Sequence, residues 1–98
     1  MSTPNIPAPQ PPADEPRDTR MRRLRMRSWR RGIKEMDLIL GSFADSKLDD
    51  LPEDLLDTYD LMLSENDQEL YAWVTGQEPA PPAFAALVAV VARHAETL

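Results

Sequence analysis

Apolar residues recur every three or four positions through most of residues 19–96, which is the spacing of one face of an α-helix. Glycine, proline and capping residues divide this pattern into five segments. No segment alternates apolar and polar residues long enough to indicate a strand. We therefore predict an all-α fold, a compact five-helix bundle. The predicted helices run from Thr19 to Arg30, from Ile33 to about Ala44, from Asp50 to about Ser64, from Asn66 to just before Gly76, and from about Pro82 to Ala95.

The N-terminal segment has a different composition. Residues 1–16 hold six of the ten prolines, with polar residues between them, and such a segment cannot bury enough apolar surface to offset the entropy of ordering. We predict a disordered Pro-rich tail over residues 1–18, followed by a single helical domain over residues 19–96. The pattern assigns no function to the tail.

Two glycines lie at informative positions in this pattern. Gly32 follows the last basic turn of the first helix, where a residue able to take positive φ can end one helix and redirect the chain, so we predict a corner there. Gly41 interrupts the second helix at a cost of about 1 kcal/mol relative to alanine. Either a neighbouring helix comes close at Gly41 or the helix ends early, and the sequence does not decide between them.

Charge is distributed very unevenly along the chain. The formal net charge is −6, yet residues 17–34 carry nine basic residues against one acid, while residues 35–98 carry two basic residues against fourteen acids. One interpretation is a solvated helix face that pairs with the acidic remainder of the domain. The alternative is a small helical nucleic-acid-binding or regulatory module that uses segment 17–34 on phosphates. Against the alternative, the acidic remainder would repel a nucleic-acid backbone, and no recognition helix is apparent.

Composition also limits the class of protein. There is no cysteine, and no apolar run approaches the roughly twenty residues that span a bilayer. The first sixteen residues lack the apolar centre of a secretory signal, and they contain acids but no arginine, unlike an organellar presequence. We therefore expect a soluble protein of the bacterial cytoplasm, without membrane insertion and monomeric when free.

Few residues suggest catalysis. His94 is the sole histidine and is interpreted as a surface residue near a helix end, where its positive form suits the helix dipole. Tyr59 and Trp73 are interpreted as core aromatics. No phosphate loop, nucleophile elbow or metal-ligand spacing is present. We expect no catalytic residue, no metal site and no stably bound cofactor.

Packing does not account for the segment from Arg30 to Glu35. Two guanidinium groups, a glycine and a carboxylate are predicted to share one exposed corner. Arg30 and Arg31 can form bidentate contacts, Gly32 lets a partner's backbone approach, and Glu35 can orient Arg31 or contact the partner itself.

This segment carries a resemblance to a known family. Arg31-Gly32-Ile33-Lys34-Glu35 matches an RGxxE motif. The chain resembles the succinate dehydrogenase flavinylation factors, also called FAD assembly factors or succinate dehydrogenase assembly factor 2. The similarity covers about residues 20–93 and includes further positions at the family's spacing: Arg30, residues 36–40, Phe43, Leu63, Asp67, Leu70, Trp73 and Gly76.

The resemblance implies a five-helix helper protein that is not itself an enzyme. Such a factor binds the flavoprotein subunit of succinate dehydrogenase, and in some bacteria of fumarate reductase, and promotes covalent attachment of FAD to a histidine of that subunit. FAD would then be attached to the partner and not carried by the factor. Carried over position by position, the partner-binding residues are Arg31, Gly32 and Glu35, with Arg30 and Asp37 as flanking support.

Overall fold

The computed structural model describes residues 15–98; residues 1–14, most of the predicted tail, lie outside the described part of the chain. Over residues 15–98 the fold is all-α, with five α-helices and no strand, as predicted. Within the described residues no helix is long and apolar enough to cross a membrane. The helices are α1 (Arg17–Ser28), α2 (Lys34–Lys47), α3 (Glu53–Met62), α4 (Asp67–Val74) and α5 (Ala85–Ala95), and a 3-10 turn, Leu48–Asp50, follows α2.

Helix α1 begins two residues before the predicted start. Pro16 is the N-cap, and its carbonyl accepts a hydrogen bond from the Arg20 N–H at 2.9 Å, so Thr19 lies inside the helix and does not cap it. The predicted capping role of Thr19 is therefore wrong. The early start is favoured because the Arg17 guanidinium pairs with Glu53 of α3, and because Asp18 lies in the first turn, where the helix dipole favours an acid.

Helix α2 is the centre of the bundle and contacts α1, α4 and α5. Met36, Leu40 and Phe43 on its inner face are fully buried. The helix continues through Gly41. The indole ring of Trp29 lies against this glycine and would overlap a Cβ built there. A close neighbour, and not an early helix end, therefore explains Gly41.

Helix α3 begins later than the sequence indicated. Asp50 does not cap it; this residue ends the 3-10 turn, and the Leu51 N–H donates to the Leu48 carbonyl at 3.2 Å. The turn places Leu48 and Leu51 in the core before Pro52 becomes the N-cap of α3. Burial of these two leucines explains the three-residue delay.

Helix α4 has the predicted start and end. The Asn66 side chain accepts a hydrogen bond from the Gln68 N–H at 2.7 Å, and Gly76, with φ of 82°, terminates the helix in a left-handed turn. Helix α5 starts at Ala85, after a turn through the prolines, and not at Pro82. Phe84 packs there on Trp73, with 6.0 Å between ring centroids.

Tyr59 and Trp73 are buried, as predicted. The Tyr59 hydroxyl lies 2.6 Å from the Ser28 Oγ, and Ser28 in turn donates to the Leu24 carbonyl at 2.7 Å. Burial raises the pKa of Tyr59 to about 12, so this polar link between α1 and α3 is uncharged at neutral pH.

Candidate partner-binding site

The turn between α1 and α2 carries the first residues of the RGxxE motif. Asp37, in the first turn of α2, accepts a hydrogen bond from the Arg31 backbone N–H, with 2.6 Å between N and Oδ1. An acid at this position also suits the positive end of the helix dipole. Asp37 therefore fixes the path of the turn from inside the chain; its predicted support of partner binding stays a prediction.

The Arg31 side chain is held by the body of the domain. Its Nε donates to Asp67 Oδ1 at 2.8 Å, and its two terminal nitrogens donate to the carbonyls of Leu63 at 2.7 Å and Glu65 at 3.1 Å. Only 9% of the side chain is exposed. We call Arg31, Asp67 and these two carbonyls the Arg31 latch. The latch joins the motif turn to the segment between α3 and α4, so Arg31 is committed inside the chain and is not available for a bidentate contact with a partner.

Gly32 is exposed and shares the carboxylate of the latch. Its backbone N–H donates to Asp67 Oδ2. A Cβ at this position would lie 2.8 Å from the same oxygen, so even alanine requires the carboxylate to shift. The predicted corner is present at Gly32, but among residues 15–98 positive φ is found at Gly76 and not at Gly32. The glycine is explained by close approach of a side chain and not by backbone conformation.

Arg30, just before the motif, and Glu35, its last residue, have side chains that face solvent. Among residues 15–98 neither side chain has a hydrogen-bond or ion-pair partner. Glu35 does not orient Arg31, as one of our interpretations held, since Asp67 and two carbonyls fill that role. The exposed part of the site is therefore Arg30, Gly32 and Glu35, and the buried part is Arg31 with Asp37 and Asp67.

Asp67 is the site residue that sequence reasoning missed. It resembles an ordinary acid in the first turn of α4, and it lies 36 residues from Arg31. Its presence among the positions shared with the family was the available signal. Nothing in the local pattern relates it to Arg31, because the contact depends on how α4 packs against the motif turn.

Most of the arginines of α1 are paired within the domain. Arg23 and Arg27 both contact Asp60, a carboxylate only 4% exposed, at 2.6 and 2.8 Å. The hydrogen bond from Arg23 to Glu15 lowers the pKa of that carboxyl. Arg17, Arg20 and Arg25 contact acids of α3 and of the segment joining it to α2. Pairing with the acidic remainder is thus confirmed, and the nucleic-acid alternative finds no support.

His94 differs from its predicted character. The ring is partly buried against Phe43, and its Nε2 lies 2.9 Å from the Ser42 Oγ of α2. Burial, and secondarily the charge of Lys47, lowers the pKa of His94. The imidazole is therefore neutral at physiological pH and packs between α2 and α5, where we had expected an exposed imidazolium.

The fold and the site together define a small helical protein with a fixed, solvent-facing turn. The model of the family described as "Flavinator of succinate dehydrogenase" matches residues 22–95, and the chain belongs to this family. It is 39% identical over 85 residues to succinate dehydrogenase assembly factor 2 of Drosophila grimshawi, covering 83% of this chain and 58% of the relative. It is 42% identical over 67 residues to the protein of the same name from Schizosaccharomyces pombe, covering 68% and 48%.

These relatives correct the predicted cellular location, and they are longer than this chain. Both are named as mitochondrial proteins of eukaryotes, so the predicted location in a bacterial cytoplasm is wrong. The composition argument failed because it rested on the first sixteen residues alone. The chain spans about half the length of the curated relatives it matches.

Proposed function

We infer that this protein promotes covalent attachment of FAD to the flavoprotein subunit of succinate dehydrogenase by docking on that subunit through its motif turn. The observation that carries the proposal is the division of the motif into a buried part that fixes the turn and an exposed part that faces solvent. Arg31, Asp37 and Asp67 fix the turn. Gly32 and Glu35 remain exposed on it.

A turn fixed in this way favours binding for two physical reasons. The backbone around Gly32 is already ordered by two carboxylates, so little conformational entropy is lost when a partner docks. Gly32 has no side chain, which permits close backbone approach, and the Glu35 carboxylate is free to accept hydrogen bonds from the partner. Docking would favour the arrangement of the client in which its histidine and FAD meet productively.

In this proposal the protein acts without catalytic residues of its own. Its one histidine is neutral and packed between two helices. FAD would be held by the client subunit and would supply the reactive chemistry, while this chain contributes position and charge. The flavoprotein subunit of succinate dehydrogenase is accordingly the proposed partner, and that of fumarate reductase is the second proposed client.

The first test compares Glu35→Ala with Glu78→Ala. Both glutamate side chains are exposed and have no hydrogen-bond or ion-pair partner among residues 15–98, but Glu78 lies in the loop beyond the far end of α4. Each variant is co-expressed with the flavoprotein subunit, and covalently bound flavin is measured by in-gel fluorescence. We expect Glu35→Ala to lower the flavinylated fraction and Glu78→Ala to leave it unchanged, with unaltered thermal unfolding of both.

The second test uses Gly32→Ala and Gly32→Arg. Both disturb Asp67, but only arginine adds a large side chain on the docking surface. We expect a graded loss of flavinylation, mild with alanine and severe with arginine. Normal flavinylation with both Gly32→Arg and Glu35→Ala would refute the assignment of the motif turn as the docking site.

A further inference from the structure

A groove runs along the solvent side of α1 and the segment that follows this helix. It has a volume of about 440 Å³ and adjoins the motif turn. We call it the arginine groove. Its walls are formed by Arg22, Arg23, Met26, Arg27, Arg30 and Arg31.

The inner and outer arginines of the groove differ in charge compensation. Arg23 and Arg27 on the inner wall face Glu15 and Asp60, two charges against two. Arg22 and Arg30 are exposed, and within residues 15–98 no carboxylate lies within 4.0 Å of either. The outer edge of the groove therefore carries two positive charges that the described part of the domain does not balance.

The outer edge also has an apolar centre. Arg22 and Met26 lie about one turn apart on α1, and Arg30 lies two residues beyond the end of this helix at Ser28. The groove thus has one arginine before Met26 in the chain and one after it. Met26 lies between them with 53% of its surface exposed. A flexible thioether between two cations suits a partner that is both acidic and apolar.

We propose that the arginine groove binds an acidic segment of the flavoprotein client, in which two carboxylates flank an apolar side chain. This inference rests on the proposed function and extends its docking surface from the motif turn along α1. Arg30 lines the groove and is also exposed beside the motif turn, so the two surfaces are continuous. One arginine that lines the groove already binds a carboxylate: Arg23 donates to both oxygens of Glu15 at 2.9 Å.

Charge favours a protein segment over a nucleic acid as the occupant. Residues 35–98 carry fourteen acids against two basic residues, which repels a continuous polyanion but tolerates two localised carboxylates. The exposed methionine between the arginines also has no role in binding a phosphate backbone.

The experiment measures binding of the full chain to the FAD-free flavoprotein subunit at several salt concentrations. The test variant is the double charge reversal Arg22→Glu/Arg30→Glu. The matched control is Arg93→Glu, because Arg93 on α5 is also exposed and unpaired within the described residues. Met26→Glu tests the apolar centre without touching an arginine. Thermal unfolding of each variant shows whether the fold is retained.

We expect the double reversal to weaken binding about tenfold or more at low salt, with a smaller effect at high salt, and Arg93→Glu to change it little. A photo-crosslinker placed at Met26 should label a client peptide that contains at least two acids. If the double reversal leaves binding unchanged while Gly32→Arg abolishes flavinylation, the arginine groove does not bind the client. The proposed function would still stand in that case. If the chain binds duplex DNA in a salt-sensitive way and the double reversal removes that binding, the proposal that the groove binds an acidic protein segment is refuted.

Discussion

Removal of the Asp67 carboxylate is the perturbation that tests the site most directly. In Asp67→Ala the Arg31 guanidinium, whose side chain is only 9% exposed, loses its carboxylate partner. The backbone N–H of Gly32 loses its acceptor at the same time. The substitution therefore removes a contact from each of two consecutive motif residues, Arg31 and Gly32, without changing any residue of the motif.

The expected cost can be worked out from these contacts. Removing one partner of a buried ion pair costs about 3–5 kcal/mol. The carbonyls of Leu63 and Glu65 still accept from Arg31 in the variant, so we expect a smaller loss of about 2–3 kcal/mol. For a domain of this size, that corresponds to a fall in Tm of about 10–20 °C.

The assay is thermal unfolding followed by far-UV circular dichroism, with Asp49→Ala as the control. Asp49 pairs with Arg25 at 3.1 Å, but its side chain is 69% exposed, so its removal should cost less than about 1 kcal/mol. Flavinylation of the co-expressed client should fall with Asp67→Ala at a temperature where the variant is still folded. Equal losses of stability in the two variants would refute the structural importance of the Arg31 latch.

Three further substitutions probe the rest of the bundle. Gly41→Ala should expel the Trp29 indole from α2 and shift its Nε1–H resonance in NMR spectra; an unshifted resonance would contradict the contact. Tyr59→Phe should lower the free energy of unfolding by about 1–2 kcal/mol in urea titrations, because the hydroxyl bonded to Ser28 is lost; unchanged stability would show that this bond contributes nothing. The pKa of His94 is lower in the folded chain than its ordinary value of 6.5, so the unfolded chain binds a proton more readily as the pH falls through 6.5. The Tm should therefore fall between pH 7.5 and 5.5, and it should fall less in His94→Gln. Identical pH profiles of the two proteins would contradict this.

The helices could be predicted because their signal is local. Apolar residues at helical spacing and the Asn66 cap are properties of short segments, and they located all five helices. The helix starts were less predictable, because they depend on distant partners. Arg17 extends α1 by pairing with Glu53, and burial of Leu51 delays α3.

The roles of the site residues also depend on distant partners and were therefore harder to predict than the helices. The motif identified Arg31, Gly32 and Glu35, but not which of them would be buried. A guanidinium is usually exposed, and only the packing of α4 on the motif turn shows that Arg31 faces inward to Asp67. His94 was misjudged for the same reason, since its neighbours in sequence do not show that Ser42 and Phe43 enclose it.

The Arg31 latch has a consequence for short fragments of the chain. A synthetic peptide covering residues 28–40 would contain the whole motif and Asp37 but neither Asp67 nor the two carbonyl acceptors, so its turn would sample many conformations. Such a peptide should compete poorly with the intact protein for the client. Recognition and folding are thus linked: a client that binds only the latched turn also stabilises the folded chain, and an unfolded copy has no surface to offer it.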